Sequence, residues 1–295
     1  MLVVIPTRGR RDIVPALERL EVQAADVLAK VEVAILDNSG GAGFDGTALT
    51  ERFGCQWFVV PEPGLARVRN TAIDLLQPWH EALIFLDDDE RPESGWLNAM
   101  LTTHSAHRAS VVLGPVRAQV PNGAPSWLLG GTFLRAVAER PDGRFEGEAY
   151  SGNTLIDATF LRRTGLRFDG RFDQTGGEDT DFFRRLREAG GCIFWAQDAA
   201  VIESVDAERA TIRGVIHRAF HAANLSWRLD RAELSLTRRS RMFLRRAGRL
   251  PRGAGRLTAG VAAGRADRVM VGLCDCAAAA GTLTSALGYR TRYYR

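Results

Sequence analysis

The chain has 295 residues, of which 45% are apolar and 25% charged, with a formal net charge of +4. That composition fits one large globular domain, or one domain with an appendage, and excludes a disordered or low-complexity chain. The N-terminus enters Leu2-Val3-Val4-Ile5 ahead of any basic cluster, so no secretory signal is expected. The four cysteines lack zinc-type spacing, and free thiols in a reducing compartment are expected.

Charge is unevenly placed. Lys30 is the only lysine, and ten arginines lie between Arg228 and Arg256. The first two-thirds is therefore net acidic and the tail strongly basic. Such a tail points to an anionic surface, lipid or nucleic acid.

In chain order, residues 2–5 predict a short buried strand, stopped by Pro6 and followed by Thr7-Arg8-Gly9-Arg10-Arg11. Asp12 is placed to cap a helix carrying Ile13, Leu17, Leu20 and Val27. Residues 31–36 predict a second strand, ending at Asp37-Asn38-Ser39 and a glycine-rich turn. A short helix over 47–53 follows, then a strand over 56–60 closed by Pro61 and Pro63, and a helix from Gly64 to Leu76. Strands alternating with helices at this spacing mean βαβ units and a mostly parallel sheet.

The next strand, 82–86, runs directly into Asp87-Asp88-Asp89-Glu90. Ligands of open α/β sheets bind beyond the carboxyl ends of the strands. Adjacent acids there repel unless a cation sits among them or water solvates them. Asp87 and Asp89, as alternate residues, can reach one site. A hard divalent ion, Mg²⁺ or Mn²⁺, held by one or two carboxylates plus substrate phosphates, fits this ligand set. A solvated turn explains an isolated acidic run equally well. Asp37 lies on the same rim, where a carboxylate accepts hydrogen bonds from a base or ribose, and Arg69 on the helix after Gly64 can reach a diphosphate. No G-x-G-x-x-G follows the first strand and no G-x-x-x-x-G-K-[ST] occurs, which disfavours the dinucleotide fold and the P-loop.

Residues 110–120 read as one further strand, 121–150 as a Pro-, Gly- and Trp-rich loop, and 192–196 and 199–205 as short strands. Trp127 and Tyr150 can stack on a sugar, although aromatics of this kind belong more often to the core. Gly176-Gly177 precede Glu178-Asp179 and a helix from Thr180. An acid at a helix start caps it and complements its dipole; it also serves as a general base if it reaches an acceptor hydroxyl.

The segments 3–10 (Val-Val-Ile-Pro-Thr-Arg-Gly-Arg), 36–39 (Leu-Asp-Asn-Ser), 64–70 (Gly-Leu-Ala-Arg-Val-Arg-Asn) and 85–90 (Phe-Leu-Asp-Asp-Asp-Glu) resemble the family 2 glycosyltransferases. So do 151–156 (Ser-Gly-Asn-Thr-Leu-Ile) and 172–186, and the resemblance covers about the first 205 residues. It implies a GT-A fold, α/β and Rossmann-like with a mostly parallel sheet, and sugar transfer from a nucleotide-sugar donor with inversion. By resemblance, Asp37, Thr7 and Arg8 line the donor base pocket, Asp87 and Asp88 lie at the nucleotide, and Asp89 holds the metal. Gly152, Asn153 and Glu178 shape the donor-sugar and acceptor pocket, and Asp179 is the catalytic base. Many family members carry a histidine after the strand matching 200–202; this chain has Glu203, a further candidate metal ligand.

The tail, 206–295, is expected to be a helical, arginine-rich extension of a domain spanning 1–205. An amphipathic helix is predicted over 208–229, with His217 and His221 on a polar face rather than at a metal. The Ala- and Gly-rich run 257–288 is interrupted by Arg265, Asp267, Arg268 and Asp275. An acid at the centre of a spanning helix costs roughly 2.5–3.5 kcal/mol. A membrane span is therefore not expected, and a helix lying in the interface on anionic head groups is; a helical lid or dimer contact is the plainer alternative.

These residues predict a cytoplasmic, metal-assisted inverting glycosyltransferase, peripheral at the inner membrane face, acting on a lipid-linked or polysaccharide acceptor. No nucleic-acid partner is expected. A basic nucleic-acid-binding protein, an inactive protein of the same fold and a sugar nucleotidyltransferase are the competing readings. The last lacks its glycine-rich, lysine-bearing loop after the first strand.

Overall fold

The computed structural model describes residues 1–9, 12–40, 46–129, 133 and 140–291. Arg10, Arg11, most of the glycine-rich turn after Ser39 and the centre of the 121–150 segment lie outside the described residues. The elements are β1 (Leu2–Thr7), α1 (Val14–Ala25), β2 (Glu32–Asp37), α2 (Thr47–Phe53), β3 (Gln56–Val59), α3 (Leu65–Asp74), β4 (Ala82–Phe85) and β5 (Glu90–Pro92). There follow α4 (Trp96–His107), β6 (Val111–Leu113), β7 (Val116–Gln119), α5 (Ser126–Leu129), β8 (Gly143–Arg144), β9 (Thr154–Asp157), α6 (Ala158–Thr164) and α7 (Glu178–Glu188). The chain continues through β10 (Ile193–Trp195), β11 (Val201–Ser204), α8 (Ile212–Glu233), α9 (Leu236–Ala247), α10 (Arg249–Ala262) and α11 (Ala266–Ala286). Two compact units result: Met1–Gln119 with Ala136–Gln174 and Glu178–Ser204, and Val120–Arg135 with Thr175–Gly177 and Val205–Arg295. The second unit thus gathers two short segments besides the tail.

The first unit is built on an eight-stranded sheet of order β3-β2-β1-β4-β9-β6-β10-β8. β1, β2, β3 and β4 run parallel, while β9 enters antiparallel between β4 and β6. Val3, Val4, Ile5, Leu83 and Ile84 have no exposure, which is why these strands read as unbroken apolar runs rather than alternations. A second sheet has the order β5-β11-β7. The stretch 110–120, expected as one strand, is therefore two. Gly114-Pro115 breaks it, because proline cannot donate to a ladder and a Cβ at Gly114 would overlap the Ala199 carbonyl oxygen. One half joins each sheet. Neither β5 nor β9 was expected as a strand. At the start of α1 the N-cap position is Ile13, which makes no side-chain cap bond; Asp12, expected as the cap, accepts from the Val14 N–H at 3.0 Å in a turn just before it.

In the second unit, α8 and α11 pack closely enough that a side chain at Gly281 would run into the Phe220 carbonyl. Asn224, buried in that contact, donates to the carbonyls of Gly281 (3.2 Å) and Tyr289 (3.1 Å). The 257–288 run breaks at Gly264, whose φ of +62° suits glycine, into α10 and α11. By length and composition alone α11 is apolar enough to cross a bilayer, with 39% of its most apolar window buried inside the fold. Its Asp275 is ion-paired with Arg256. All four cysteines are free.

Candidate active site

The carboxyl ends of β1, β2 and β4 form one rim. Thr7 ends β1 in register with Asp37, which ends β2. The Thr7 hydroxyl donates to Asp88 Oδ2 at 2.8 Å and accepts from the Gly9 N–H at 3.1 Å. Asp37 is buried, and its Oδ1 accepts from the Ser39 N–H at 2.8 Å, so the turn holds its carboxylate in place. Asn38 fastens the same corner. Its amide donates to the carbonyls of Val60 (3.3 Å) and Glu62 (3.0 Å), and its oxygen accepts from the Gly64 N–H at 2.9 Å. Arg8, half-buried, follows Thr7 directly. Asp173, not singled out in the sequence, accepts from the Arg67 N–H at 3.0 Å and so complements the start of α3.

Asp87, Asp88 and Asp89 are half-buried, whereas Glu90 is only 3% exposed. Glu90 Oε2 accepts from two backbone N–H groups, those of Asp87 (3.0 Å) and Asn153 (3.1 Å). Glu203 lies directly opposite Glu90 in the β5–β11 ladder, and the Ser204 N–H donates to the Asp89 carbonyl at 2.8 Å. The residue standing where the family often has histidine is thus placed beside the acidic tip. Burial pushes the Glu90 carboxyl well above the usual carboxylate range, and the charges of Asp87, Asp89 and Glu203 push the same way. Its only sequence signal was its place as the fourth acid of the run. Among the described residues no group of three His, Cys, Asp or Glu side chains is arranged to hold a metal ion by itself. Carboxylate oxygens suit a hard cation only if phosphate and water complete its shell.

Gly152 and Asn153 form the other wall. A Cβ at Gly152 would stand 2.7 Å from Asp87 Oδ2 and 2.9 Å from Glu90 Oε1, so any side chain there would displace both carboxylates. By resemblance Asn153 helps shape the donor-sugar pocket. Its side chain lies inside the scaffold, with no exposure and a φ of +47°. Its oxygen accepts from Trp96 Nε1 at 2.6 Å, and its amide donates to the carbonyls of Pro115 (3.0 Å) and Ala199 (2.9 Å). Tyr150 is likewise a core residue, its hydroxyl donating to the Gly114 carbonyl at 2.8 Å. Trp127 belongs to the second unit, in α5.

The acids of α7 divide their roles. Asp181 is held by Arg184 (2.9 Å) and Arg185 (2.8 Å) on its own helix. Glu178 is buried and ion-paired with Arg69. Arg69, expected to reach a diphosphate, has its guanidinium against Glu178 and the Phe168 ring. Burial outweighs that attraction and, with the charge of Asp179 added, pushes the Glu178 carboxyl up to about 7. Asp179 is half-buried, and its Oδ1 accepts from the Thr180 N–H at 2.7 Å. Gly176 and Gly177, with φ of +70° and +98°, supply the turn before it.

No protein-family model matches the chain. The chain is 30% identical over 227 residues to the succinoglycan biosynthesis protein ExoM of Rhizobium meliloti (strain 1021), covering 76% of this chain and 72% of that protein. The chain belongs to the glycosyltransferase family of that protein. Among solved structures, S. aureus TarS 1–349 shares the fold at a TM-score of 0.50 and 14% identity, over 100% of this chain and 92% of its own. TarS 1–349 in complex with UDP-GlcNAc matches equally, at 0.50 and 15%, over 100% and 93%.

Two outcomes are expected. Asn153→Ala strands the Trp96 N–H and two carbonyls in the core and places alanine at positive φ, which costs about 3–5 kcal/mol; thermal melts followed by circular dichroism measure it. The second concerns pH. Between about 4.5, the ordinary value, and about 7, the folded protein keeps the Glu178 proton that the unfolded chain has released. Stability contributed at low pH is therefore lost as pH rises through that window. Melting temperature should fall more steeply from pH 4.5 to 7 in the native protein than in Glu178→Gln, whereas parallel curves would remove the assignment.

Proposed function

We propose that the first unit binds a nucleotide-sugar on the rim of β1, β2 and β4 and transfers the sugar, with inversion, to a hydroxyl of a lipid-linked or polysaccharide acceptor. The observation that carries this reading is the join between strand ends. Thr7 faces Asp37 in register and is hydrogen-bonded to Asp88, so the residues matched to the donor site share one rim. Family membership with a succinoglycan biosynthesis protein and the fold shared with a protein crystallised with UDP-GlcNAc support a nucleotide-sugar donor and a glycan product. The parallel β1–β4 core with its rim also fits a GT-A fold of the family 2 kind.

Asp37, with Thr7 and Arg8, receives the nucleoside, and Asp87 and Asp88 lie along it. Asp89, with Glu203 beside it, would hold Mn²⁺ or Mg²⁺ against the diphosphate. Bound there, the cation would offset the negative charge that develops on the departing diphosphate. Glu90 clamps the tip to the Gly152-Asn153 corner through its two N–H bonds. Glycine at 152 keeps the space beside Asp87 open.

Asp179 is the general base. It removes the acceptor hydroxyl proton as that oxygen attacks the anomeric carbon. The bond from that carbon to the diphosphate breaks on the opposite face, and the nucleoside diphosphate leaves with the electron pair. The Arg69–Glu178 pair positions α7, and with it Asp179.

Asp179→Asn is the test. Removing a general base costs roughly 10²–10⁴ in kcat. Release of nucleoside diphosphate from the accepted sugar donor should fall by that much, while donor affinity by calorimetry stays within about twofold. Undiminished turnover would remove Asp179 from the mechanism.

A further inference from the structure

The arginines of the second unit fall into two groups. No Asp or Glu occurs between Glu233 and Asp267. On α9, Arg239, Met242, Phe243 and Arg246 recur at three- and four-residue spacing and are half-buried, so they form the inward face. Each of these arginines is engaged. Arg239 donates to the Arg231 carbonyl at 2.7 Å, and Arg246 pairs with Asp230 and donates to Ser226 at 3.0 Å. Phe243 packs edge-on against Trp227, with ring centroids 5.4 Å apart.

The outward face is different. Arg238, Arg241 and Arg245 are exposed, as is Arg249 at the start of α10. Among the described residues none of the four has an acidic partner. Set among them are three large apolar side chains turned to solvent: Leu236 at 76% exposure, Leu244 at 69% and Leu250 at 45%. Cations that are neither paired nor screened by neighbouring acids, interleaved with solvent-facing leucines, suit a surface that is anionic outside and apolar just beneath.

We propose that the outward face of α9, continued by Arg249 and Leu250, docks on an anionic phospholipid bilayer, with its arginines on phosphate head groups and its leucines among the upper acyl chains. The sequence alone pointed to the Ala-rich run 257–288 as the interfacial segment. The exposed leucines and unpaired arginines move that role to α9, while α11 keeps its small residues for packing on α8 and α10. A duplex nucleic acid would use the arginines and leave the leucines idle. The inference does not depend on the donor chemistry, so its failure and that of the transferase reading are separable.

The test is co-sedimentation of the full chain with phosphatidylcholine vesicles with and without phosphatidylglycerol. Binding is expected only where the anionic lipid is present. Each arginine near such a surface contributes about 1 kcal/mol, so R238E/R241E/R245E should weaken binding by about 100-fold or more. L236S/L244S should weaken it as well, with the arginines intact. Both variants change exposed positions, and unchanged far-UV circular dichroism and nucleotide-sugar turnover confirm their fold. No binding to anionic vesicles would overturn the proposal. So would binding that ignores L236S/L244S and is displaced by duplex DNA, which would mark a nucleic-acid face.

Discussion

The structure of the first unit turns on how it tolerates four acids at one place. Asp87, Asp89 and Glu203 gather round Glu90, which is buried. A buried, unpaired carboxylate is too costly to keep. The fold meets that cost in two ways, through two backbone N–H groups on one Glu90 oxygen and through a raised proton affinity. Those same N–H groups belong to the tip after β4 and the corner before β9. The bond that makes the acid tolerable therefore also fixes the geometry of the rim.

Other contacts extend the constraint outward. Asn153, whose N–H serves Glu90, spends its side chain on Trp96 and on the turns at Pro115 and Ala199, joining α4 to both sheets. β11 completes the site by setting Glu203 across from Glu90, and the Asp89 carbonyl holds the next residue. Beyond these, the Arg69–Glu178 pair ties α3 to α7. A rim assembled on strand ends and clamped by buried polar groups loses little freedom when it binds a charged ligand. Asp87, Asp88, Asp89 and Asp179, assigned to the ligands, are half-buried, whereas Glu90 and Glu178, which hold the frame, are buried; Asp37 and Glu203 are buried and stand at the ligand rim as well.

Much of this was legible in the sequence, and the limits have physical causes. β1, β2 and β4 show as apolar runs because both their faces are covered. Asp37, Thr7 and Asp87 to Asp89 show as strand ends, and their meeting on one rim follows from parallel strands. What stayed hidden depended on partners distant in sequence. Asn153 was placed at the ligand because only its motif was visible; its burial under Trp96 was not. The pairing of Arg69 was hidden because Glu178, more than a hundred residues on, carries no local mark. The break at Gly114-Pro115 was hidden inside apolar residues that suit either sheet. Asp173 and Glu90, the two acids that cap and clamp, look like any others until their N–H partners are known.

The central claim is that the strand-end rim is a nucleoside-diphosphate site completed by a cation at Asp89. Isothermal titration of UDP, GDP and dTDP into the native protein and Asp89→Asn, with and without Mn²⁺, tests it most directly. The account predicts that one nucleotide class binds the native protein more tightly when Mn²⁺ is present, and that Asp89→Asn keeps the metal-free affinity but loses the gain from the metal. Absence of binding by every nucleotide, or a gain from Mn²⁺ that survives in Asp89→Asn, would contradict it.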